Sequence, residues 1–271
     1  LDNVKELGRG NYGFVNLVRC KKNKQLYAIK ALNLTQIKEE SLEQPVELEK
    51  DVLLKLDHPF IMKMVKYLKN ETYIFFLTEF IHGKELWEVM REIGMLTINQ
   101  VKFYGASVLL TIDYIHKRQI IYRDIKPENI MINDRGYCKI IDFGTVKEIK
   151  DRTTTIVGTP EYMAPEMIKG TGYSFQVDIW AVGVLMYELF CGKVPFGEDK
   201  EDPLDVYQAV AKEELIFPSF VHDENFMSLI IKILKKNPTR RLWKYEQIRE
   251  EPFFKNFKWD DLISLSLPPP Y

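Results

Sequence analysis

The sequence predicts an α+β protein with two lobes, a β-rich first third and a mainly helical remainder. Short strand-like apolar runs occur at residues 4–29, 61–65 and 73–80. Apolar segments with helical spacing follow at residues 86–90, 100–116, 179–190 and 228–234. A polar stretch that contains glycine separates the two patterns. We therefore predict a first lobe over residues 1–79, a connecting hinge at 80–84 and a second lobe over 85–271.

The bulk composition disfavours several classes of function. The 271 residues are 46% hydrophobic and 28% charged, which is ordinary for a globular protein with a sizeable core. The net charge of −1 gives no indication of nucleic acid or an anionic membrane as a partner. Three scattered cysteines fit free thiols in a reducing cytoplasm, and no apolar run reaches the roughly 18 residues of a membrane span. The chain opens at Leu1 inside a structured pattern, so we expect a fragment of a longer protein.

The stretch from Tyr122 to Asn129 is the leading candidate for a reactive site. Pro127 breaks helices and central strands, so a loop is predicted between the flanking apolar runs, where a rigid scaffold presents reactive groups. Asp124 can accept a hydroxyl proton, Lys126 can hold a phosphate and Asn129 can ligate a metal ion. This pattern predicts phosphoryl transfer. The alternative is a charged surface turn without chemistry.

A glycine-containing stretch lies between two strand-like runs near the start of the chain, with glycines at positions 8, 10 and 13. Glycines allow the backbone to fold tightly and approach a ligand, and free N–H groups can then cover phosphates. A plain hairpin turn and a dinucleotide-binding loop are the alternatives. The dinucleotide-binding loop requires a helix directly after it. The alternating residues Phe14–Val18 predict a strand instead.

Three charged residues elsewhere have the character of site residues. Lys30 ends an apolar run, where an ammonium group requires a partner. Glu49 lies on a helix predicted over residues 39–56, and Glu47 is the rival partner on another face of that helix. The alternative is that these carboxylates only complement the helix dipole. Asp142 follows a further apolar run, where a carboxylate is a typical ligand of Mg²⁺.

Taken together, these motifs resemble those of the eukaryotic protein kinases, in the family's order and spacing over nearly the whole chain. The matching segments are the glycine loop, Lys30, Glu49, the Tyr-Arg-Asp loop, Asp142-Phe143-Gly144 and Ala164-Pro165-Glu166. The resemblance implies the bilobal protein-kinase fold, with one key helix in the N-lobe and a mainly helical C-lobe. It also implies ATP and Mg²⁺ in the cleft between the lobes.

The resemblance assigns a role to each matching residue. Asp124 would be the catalytic base, Lys126 would steady the γ-phosphate, and Asn129 and Asp142 would hold Mg²⁺. Lys30 would pair with the α- and β-phosphates and with Glu49. The implied nucleotide-binding residues are Leu7, Gly8, Gly10, Gly13, Val15, Ala28, Lys30, Thr78 as gatekeeper, Glu79, Ile81 and Met131. The implied structural residues are Asp178 beneath the catalytic loop, and Glu166 paired with Arg241.

Within the family, Tyr-Arg-Asp and the stretch Gly158–Tyr162 resemble the AGC group, and Thr159 would belong to its catalytic residues. Gly83–Trp87 and Phe257–Trp259 are most similar to cyclic-GMP-dependent kinases, with the cyclic-AMP-dependent kinase close behind. We therefore expect a cytoplasmic Ser/Thr kinase whose cyclic-nucleotide-binding regulatory region lies outside this sequence. A pseudokinase scaffold and a small-molecule kinase are the alternatives. The intact Lys30, Asp124 and Asp142 disfavour the pseudokinase.

The resemblance also predicts how such a kinase would be activated. Thr155 aligns with the activation-loop phosphosite of the AGC group, and Arg123 and Lys147 would contact its phosphate. Thr153 and Thr154 are alternative acceptors.

Substrate preference is the last expectation from the resemblance. It places Glu85, Glu128 and Glu188 along the peptide groove, so we expect protein substrates with basic residues upstream of the acceptor. Thr145, directly after Asp-Phe-Gly, is expected to face the acceptor side chain and to favour Thr at least as much as Ser.

Overall fold

Five antiparallel strands form one sheet at the start of the chain in the computed structural model, which describes residues 1–271. The strands are β1 (Asp2–Gly10), β2 (Gly13–Arg19), β3 (Leu26–Asn33), β4 (Met64–Lys69) and β5 (Tyr73–Glu79), in the order β1-β2-β3-β5-β4. Helices α1 (Leu34–Glu39) and α2 (Glu43–Lys55) lie between β3 and β4 in the chain. This arrangement confirms the predicted β-rich first part.

The remainder of the chain is mainly helical. Its helices are α3 (Leu86–Ile93), α4 (Ile98–His116), α5 (Pro165–Ile168), α6 (Gln176–Cys191), α7 (Pro203–Lys212), α8 (Glu224–Ile233), α9 (Tyr245–Arg249) and α10 (Trp259–Ile263). Its strands are β6 (Gly83–Glu85), β7 (Ile120–Ile121), β8 (Ile130–Asn133), β9 (Cys138–Ile140) and β10 (Lys147–Glu148). Strands β6, β8 and β9 form one small sheet, and β7 pairs with β10. No helix has the length and apolarity to cross a membrane.

Helix α6 is the buried centre of the helical part. It is apolar on nearly every side, as expected for a helix surrounded by other elements, and most of its side chains are buried. Gly192 ends it in the left-handed conformation at φ 75°. Helix α4 packs against it and begins with a capping box between Thr97 and Gln100. These two helices support the loops between β7 and β9 that carry the candidate site.

Backbone hydrogen bonds join the β-rich first part to the helical part. The amide of Met62 donates to the carbonyl of Ile140, and the amide of Ile140 donates to the carbonyl of Phe60, at 2.9 and 2.8 Å. Glu79, at the end of β5, forms an ion pair with Lys139 of β9 at 2.6 Å. The segment after α2 is therefore attached to the strand that leads into Asp142.

Two sequence-based elements begin later than predicted. The helix predicted over residues 39–56 is present as α2 but starts at Glu43, because α1 ends at Glu39 and Ser41, at φ 56°, separates the two helices. The strand predicted at 61–65 begins instead at Met64, since Ile61 forms a bridge with Ile140. Helix α7 was not predicted, although Asp202 and Pro203 are an N-cap and a first-turn proline.

A buried ion pair ties α5 to the segment after α8. The guanidinium of Arg241 donates to both carboxylate oxygens of Glu166, at 2.5 and 2.8 Å. The Arg241 side chain is fully buried and that of Glu166 is 5% exposed. Arg241 also donates to the carbonyl oxygens of Lys235 and Gln176. The bidentate pair is therefore almost completely shielded from water.

We predict that Glu166→Gln lowers the free energy of unfolding by about 3–5 kcal/mol, because it leaves the Arg241 cation buried without a counter-charge. Urea unfolding followed by circular dichroism measures this loss. Lys232→Ala is the matched control, since its pair with Glu251 leaves the lysine side chain 45% exposed; it should cost at most about 1 kcal/mol. Equal losses in the two variants would contradict the prediction.

Candidate active site

Lys30 and Glu49 form an ion pair that joins the sheet to α2. The Nζ of Lys30 donates to the Oε1 of Glu49 at 2.9 Å and lies 4.0 Å from the Oδ1 of Asp142. Burial lowers the pKa of Lys30, but the charges of Glu49 and Asp142 and the hydrogen bond that Lys30 donates to Glu49 leave it raised overall. Lys30 therefore remains a cation. The rival Glu47 lies elsewhere, paired with Lys50 and bonded to Tyr67.

The glycine stretch forms the turn between β1 and β2, so a strand follows it and the dinucleotide-binding alternative is wrong. A Cβ at Gly13 would overlap the carbonyl oxygen of Ala31, so only glycine allows the loop to approach β3 this closely. Gly8 and Gly10 face open space. The adjoining Leu7 is 40% exposed. The loop therefore carries no side chain at Gly8 and Gly10 that would obstruct a ligand.

The other predicted nucleotide residues lie on adjoining strands. Val15 is opposite Lys30 in the β2–β3 pair, and Ala28 is opposite Thr78 in the β3–β5 pair. Thr78 is buried, and its hydroxyl lies 3.5 Å from the carbonyl of Ala28. Met131 lies on β8, opposite Glu85.

The hinge residues follow at the end of β5. Ile81 is 7% exposed. Oε1 of Glu79 accepts from Lys139 and from the amide of Lys63, and the Glu79 amide donates to the carbonyl oxygen of Lys63 at 2.9 Å, so neither group is free for a ligand.

Asp124 is the centre of a hydrogen-bonded cluster. Its Oδ1 accepts from the Thr159 hydroxyl at 2.9 Å, and its Oδ2 accepts from the Asn129 amide group at 2.8 Å. The Nζ of Lys126 donates to Thr159 at 2.9 Å and lies 3.5 Å from the Asp124 carboxylate. The 3-10 turn Pro127–Asn129 places Asn129 beside Asp124. The carboxylate is thus held in one orientation, with a cation beside it.

Asp178 holds the backbone of the same loop from below. Its completely buried carboxylate accepts from the amides of Tyr122 and Arg123, both at 2.8 Å, and contacts Nε2 of His116 at 2.7 Å. Arg123 has φ 73°, a conformation that costs free energy for a residue with a Cβ. Two charge-assisted hydrogen bonds maintain this strained turn, which places Asp124 at the site.

Asn129 and Asp142 have the donor atoms that Mg²⁺ prefers. The Asn129 amide nitrogen donates to two oxygens of Asp124, which leaves its carbonyl oxygen as the atom available to a ligand. Asp142 accepts from the amide of Gly144 through Oδ1 and keeps Oδ2 free; its side chain is 51% exposed. A carboxylate and an amide oxygen suit Mg²⁺, which binds few protein groups and retains other oxygen ligands. The residues therefore fit this ion.

The segment after Asp142 folds back onto the catalytic loop. Thr153 is 6% exposed and bridges to Tyr173, whereas Thr154 and Thr155 are exposed. The Nζ of Lys147 donates to the hydroxyls of Thr153 and Thr155, at 2.8 and 3.2 Å. Burial therefore disfavours Thr153 as an acceptor.

Arg123 makes no hydrogen bond to Thr155. Its guanidinium instead donates hydrogen bonds to the carbonyl oxygens of Thr145 and Val146, at 2.6 and 3.3 Å. A third hydrogen bond goes to the hydroxyl of Tyr173, which donates to the Thr155 carbonyl. The Thr145 hydroxyl donates to the carbonyl of Tyr122 at 2.9 Å. This hydrogen bond to the catalytic loop restrains the side-chain conformation of Thr145.

Three carboxylates form a connected acidic surface. Burial raises the pKa of Glu85, and the charges of Glu88 and Glu128 raise it further. Burial also raises the pKa of Glu188 to about 7; a hydrogen bond from Tyr162 lowers it, and the Glu128 charge raises it. Glu128 thus acts on both neighbours and is itself exposed. This surface is suited to a cationic ligand.

The sequence analysis did not single out His116, Tyr162 or Tyr173 as individual site residues. The partners of His116 and Tyr173, Asp178 and Arg123, are 62 and 50 residues away in the chain. Local periodicity contains no signal for such contacts. Tyr162 lies within the Gly-Thr-Pro-Glu-Tyr motif, which could have identified it.

Comparison with known proteins agrees with this geometry. Residues 1–254 match the protein kinase domain family. The chain is 41% identical to a cGMP-dependent protein kinase of Toxoplasma gondii, over 98% of this chain and 27% of that protein. It is 42% identical to one of Plasmodium berghei, over 97% of this chain and 31% of that protein. It is 36% identical to the cAMP-dependent protein kinase catalytic subunit PRKX of Mus musculus, over 99% of this chain and 76% of that protein.

The chain belongs to the protein kinase family. The resemblance seen in the sequence, and within it the greater similarity to cGMP-dependent kinases of the AGC group, is confirmed. The chain spans less than a third of the length of these cGMP-dependent relatives.

Proposed function

We propose that this chain is the catalytic domain of a Ser/Thr protein kinase, which transfers the γ-phosphate of ATP to hydroxyl groups of proteins. The observation that carries the proposal is the cluster in which Asp124 is held by Asn129 and Thr159 beside Lys126. The Lys30–Glu49 pair lies beside Asp142. The amide of Ile141, next to Asp142, donates to the carbonyl of Asn129 at 3.0 Å, so the binding and phosphotransfer groups are neighbours.

Each protein group has a definite task in this proposal. Asp124 accepts the proton of the substrate hydroxyl through a carboxylate whose orientation is set by two hydrogen bonds. Lys126 and Lys30 supply positive charge toward the phosphates, which stabilises charge that spreads over the transferred group. Asn129 and Asp142 would hold Mg²⁺, which neutralises phosphate charge when it is bound.

A cyclic-GMP-dependent type of kinase is the subclass that the similarities favour, with a cyclic-AMP-dependent type as the alternative. A cyclic-nucleotide-binding regulatory region outside this sequence and a cytoplasmic location belong to the same proposal. A scaffold without turnover is the second candidate function. The presence of Lys30, Asp124 and Asp142 disfavours it, because such scaffolds usually lose the strand lysine, the loop aspartate or the metal-binding aspartate.

We expect Asp124→Asn to lower kcat by about 10²–10⁴-fold, because the amide is isosteric but cannot accept the proton. Phosphate transfer from ATP to a basic peptide measures kcat, and thermal unfolding checks that the fold is retained. Asp134→Asn is the matched control, since Asp134 is exposed in the turn after β8. An Asp124→Asn protein with nearly wild-type kcat would refute the proposed chemistry.

The acidic surface indicates the class of substrate. Partial burial raises the pKa of Glu85 and of Glu188, and repulsion by the Glu128 charge raises both further, so the three carboxylates lie near one another. A guanidinium group relieves this repulsion and forms charge-assisted hydrogen bonds. Peptides with arginine or lysine upstream of the acceptor are therefore the proposed substrates. An acidic peptide would add repulsion at the same place.

Recognition of such peptides should depend on pH through Glu188, whose pKa is about 7. Only the ionised carboxylate attracts a cation, so the KM for an arginine peptide should fall as pH rises from 6 to 8, by up to about tenfold. A peptide with alanine in place of arginine is the control, and Glu188→Gln should remove the pH dependence. The same pH profile for both peptides would contradict the role of Glu188.

Thr155 is the proposed activating phosphosite. It is exposed, and its hydroxyl already lies 3.2 Å from Nζ of Lys147. A phosphate there adds about −1.5 to −2 charges beside this lysine. Arg123 would have to exchange a carbonyl partner for the phosphate, so Lys147 is the first contact. Ordering of this segment would then stabilise the neighbouring catalytic loop.

We expect Thr155→Ala to lower kcat/KM by at least about tenfold relative to the phosphorylated wild type, since one to three charge-assisted hydrogen bonds are lost. Thr154→Ala is the control, because Thr154 is equally exposed but makes no contact with Lys147. Lys147→Met should reproduce part of the loss. Full activity of Thr155→Ala, or an equal loss in Thr154→Ala, would remove Thr155 from this role.

A further inference from the structure

The tip of the glycine loop makes a side-chain contact with α1. The Tyr12 hydroxyl donates a hydrogen bond of 2.9 Å to Oε2 of Glu40, the residue directly after this helix. The carbonyl oxygen of Tyr12 accepts from the amide of Asn33 at 2.8 Å. Asn33 is the N-cap of α1. Tyr12 therefore contacts both ends of α1, one end through its backbone and the other through its side chain.

Helix α1 is a firm support for this contact. Its apolar residues Leu34 and Ile37 are 7% and 1% exposed. The Asn33 side chain accepts from two amides of the first turn. The amide of Leu42, the N-cap of α2, donates to the carbonyl of Ile37 at 2.8 Å. Because α2 carries Glu49, the support for the loop tip is continuous with the support for the Lys30–Glu49 pair.

The rest of the loop has few restraints of its own. Every residue of β1 is exposed, and Gly8 and Gly10 have no neighbouring atoms where a side chain would lie. Arg9 pairs with Glu6 of the same strand and lies 6.0 Å from the Phe14 ring of β2, so its contacts stay within the β1–β2 hairpin. The Tyr12–Glu40 hydrogen bond is thus the side-chain contact that ties the tip to a helix.

We propose that Tyr12 is a positioning residue for nucleotide binding, which acts through Glu40 to hold the glycine loop over the site. The inference rests on the proposed kinase function. A loop that is already held in place loses less conformational entropy when it closes over a ligand. Loss of the hydroxyl therefore weakens nucleotide binding and leaves proton transfer at Asp124 unchanged.

Tyr12→Phe tests the hydroxyl alone. The KM for ATP should rise about two- to fivefold with kcat within about twofold of wild type, because one solvent-exposed hydrogen bond is lost. Tyr73→Phe is the matched control: its ring packs 5.8 Å from that of Phe14 beside the same loop, and its hydroxyl makes no hydrogen bond. Equal KM values for wild type and Tyr12→Phe would overturn the proposal.

A double-mutant cycle separates the pair from a general effect on the lobe. Glu40→Ala should raise the KM for ATP as Tyr12→Phe does, and the double variant should show no further rise. Glu40→Gln keeps an oxygen that can accept from Tyr12 and should restore most of the wild-type KM. Additive single effects, or a fall in kcat equal to the rise in KM, would overturn the proposal.

Amide hydrogen exchange of the nucleotide-free protein tests the Tyr12–Glu40 hydrogen bond independently of catalysis. The Asn33 amide and the peptide 8–14 should exchange faster in Tyr12→Phe and Glu40→Ala than in Tyr73→Phe. Unchanged exchange would overturn the proposal.

A wild type that neither binds nor turns over ATP overturns the proposed function together with the role of Tyr12. An active wild type with an unaffected Tyr12→Phe overturns the role of Tyr12 alone.

Discussion

The buried carboxylate of Asp178 is the constraint on which the rest of the site depends. It is fully enclosed on α6, and its oxygens accept from the amides of Tyr122 and Arg123. A desolvated charge is stable only when its acceptor sites are filled. The backbone amides of the strained loop and Nε2 of His116 contact the carboxylate oxygens and fill these sites. The same bonds that stabilise the carboxylate therefore set the conformation of the catalytic loop.

The neighbouring segment depends on the loop in turn. Once Arg123 is held at φ 73°, its guanidinium reaches the carbonyl oxygens of Thr145 and Val146. Asp124 then binds Thr159 of the later segment. Three stretches that are far apart in the chain are thus joined through one arginine and one aspartate. Apolar packing also connects this region, since the rings of Tyr122 and Phe143 lie 5.3 Å apart, and the hydrogen bonds add directional restraints on the loop.

Local patterns predicted the elements that carry Lys30 and Glu49, but they left Glu47 open as a partner. Periodicity assigns residues to helix faces, and only packing selects which face meets β3; here Glu47 turns to Lys50. Helix α1 has six residues, too few for a periodic signal. That Thr145 faces the acceptor stays a prediction; the partner of its hydroxyl, the backbone carbonyl of Tyr122, is 23 residues away in the chain and could not be read from local pattern. Such partners follow from tertiary geometry alone.

Gly158 shows how a position without chemistry can look essential. It has φ 107°, and a Cβ there would lie 2.5 Å from the carbonyl oxygen of Arg123. Both the backbone conformation and the close approach exclude every other residue, alanine included. In a saturation-mutagenesis screen scored by activity, this glycine would be as intolerant of change as Asp124. The cause would be steric, so the intolerance of a site position is not by itself a sign that its side chain participates in the reaction.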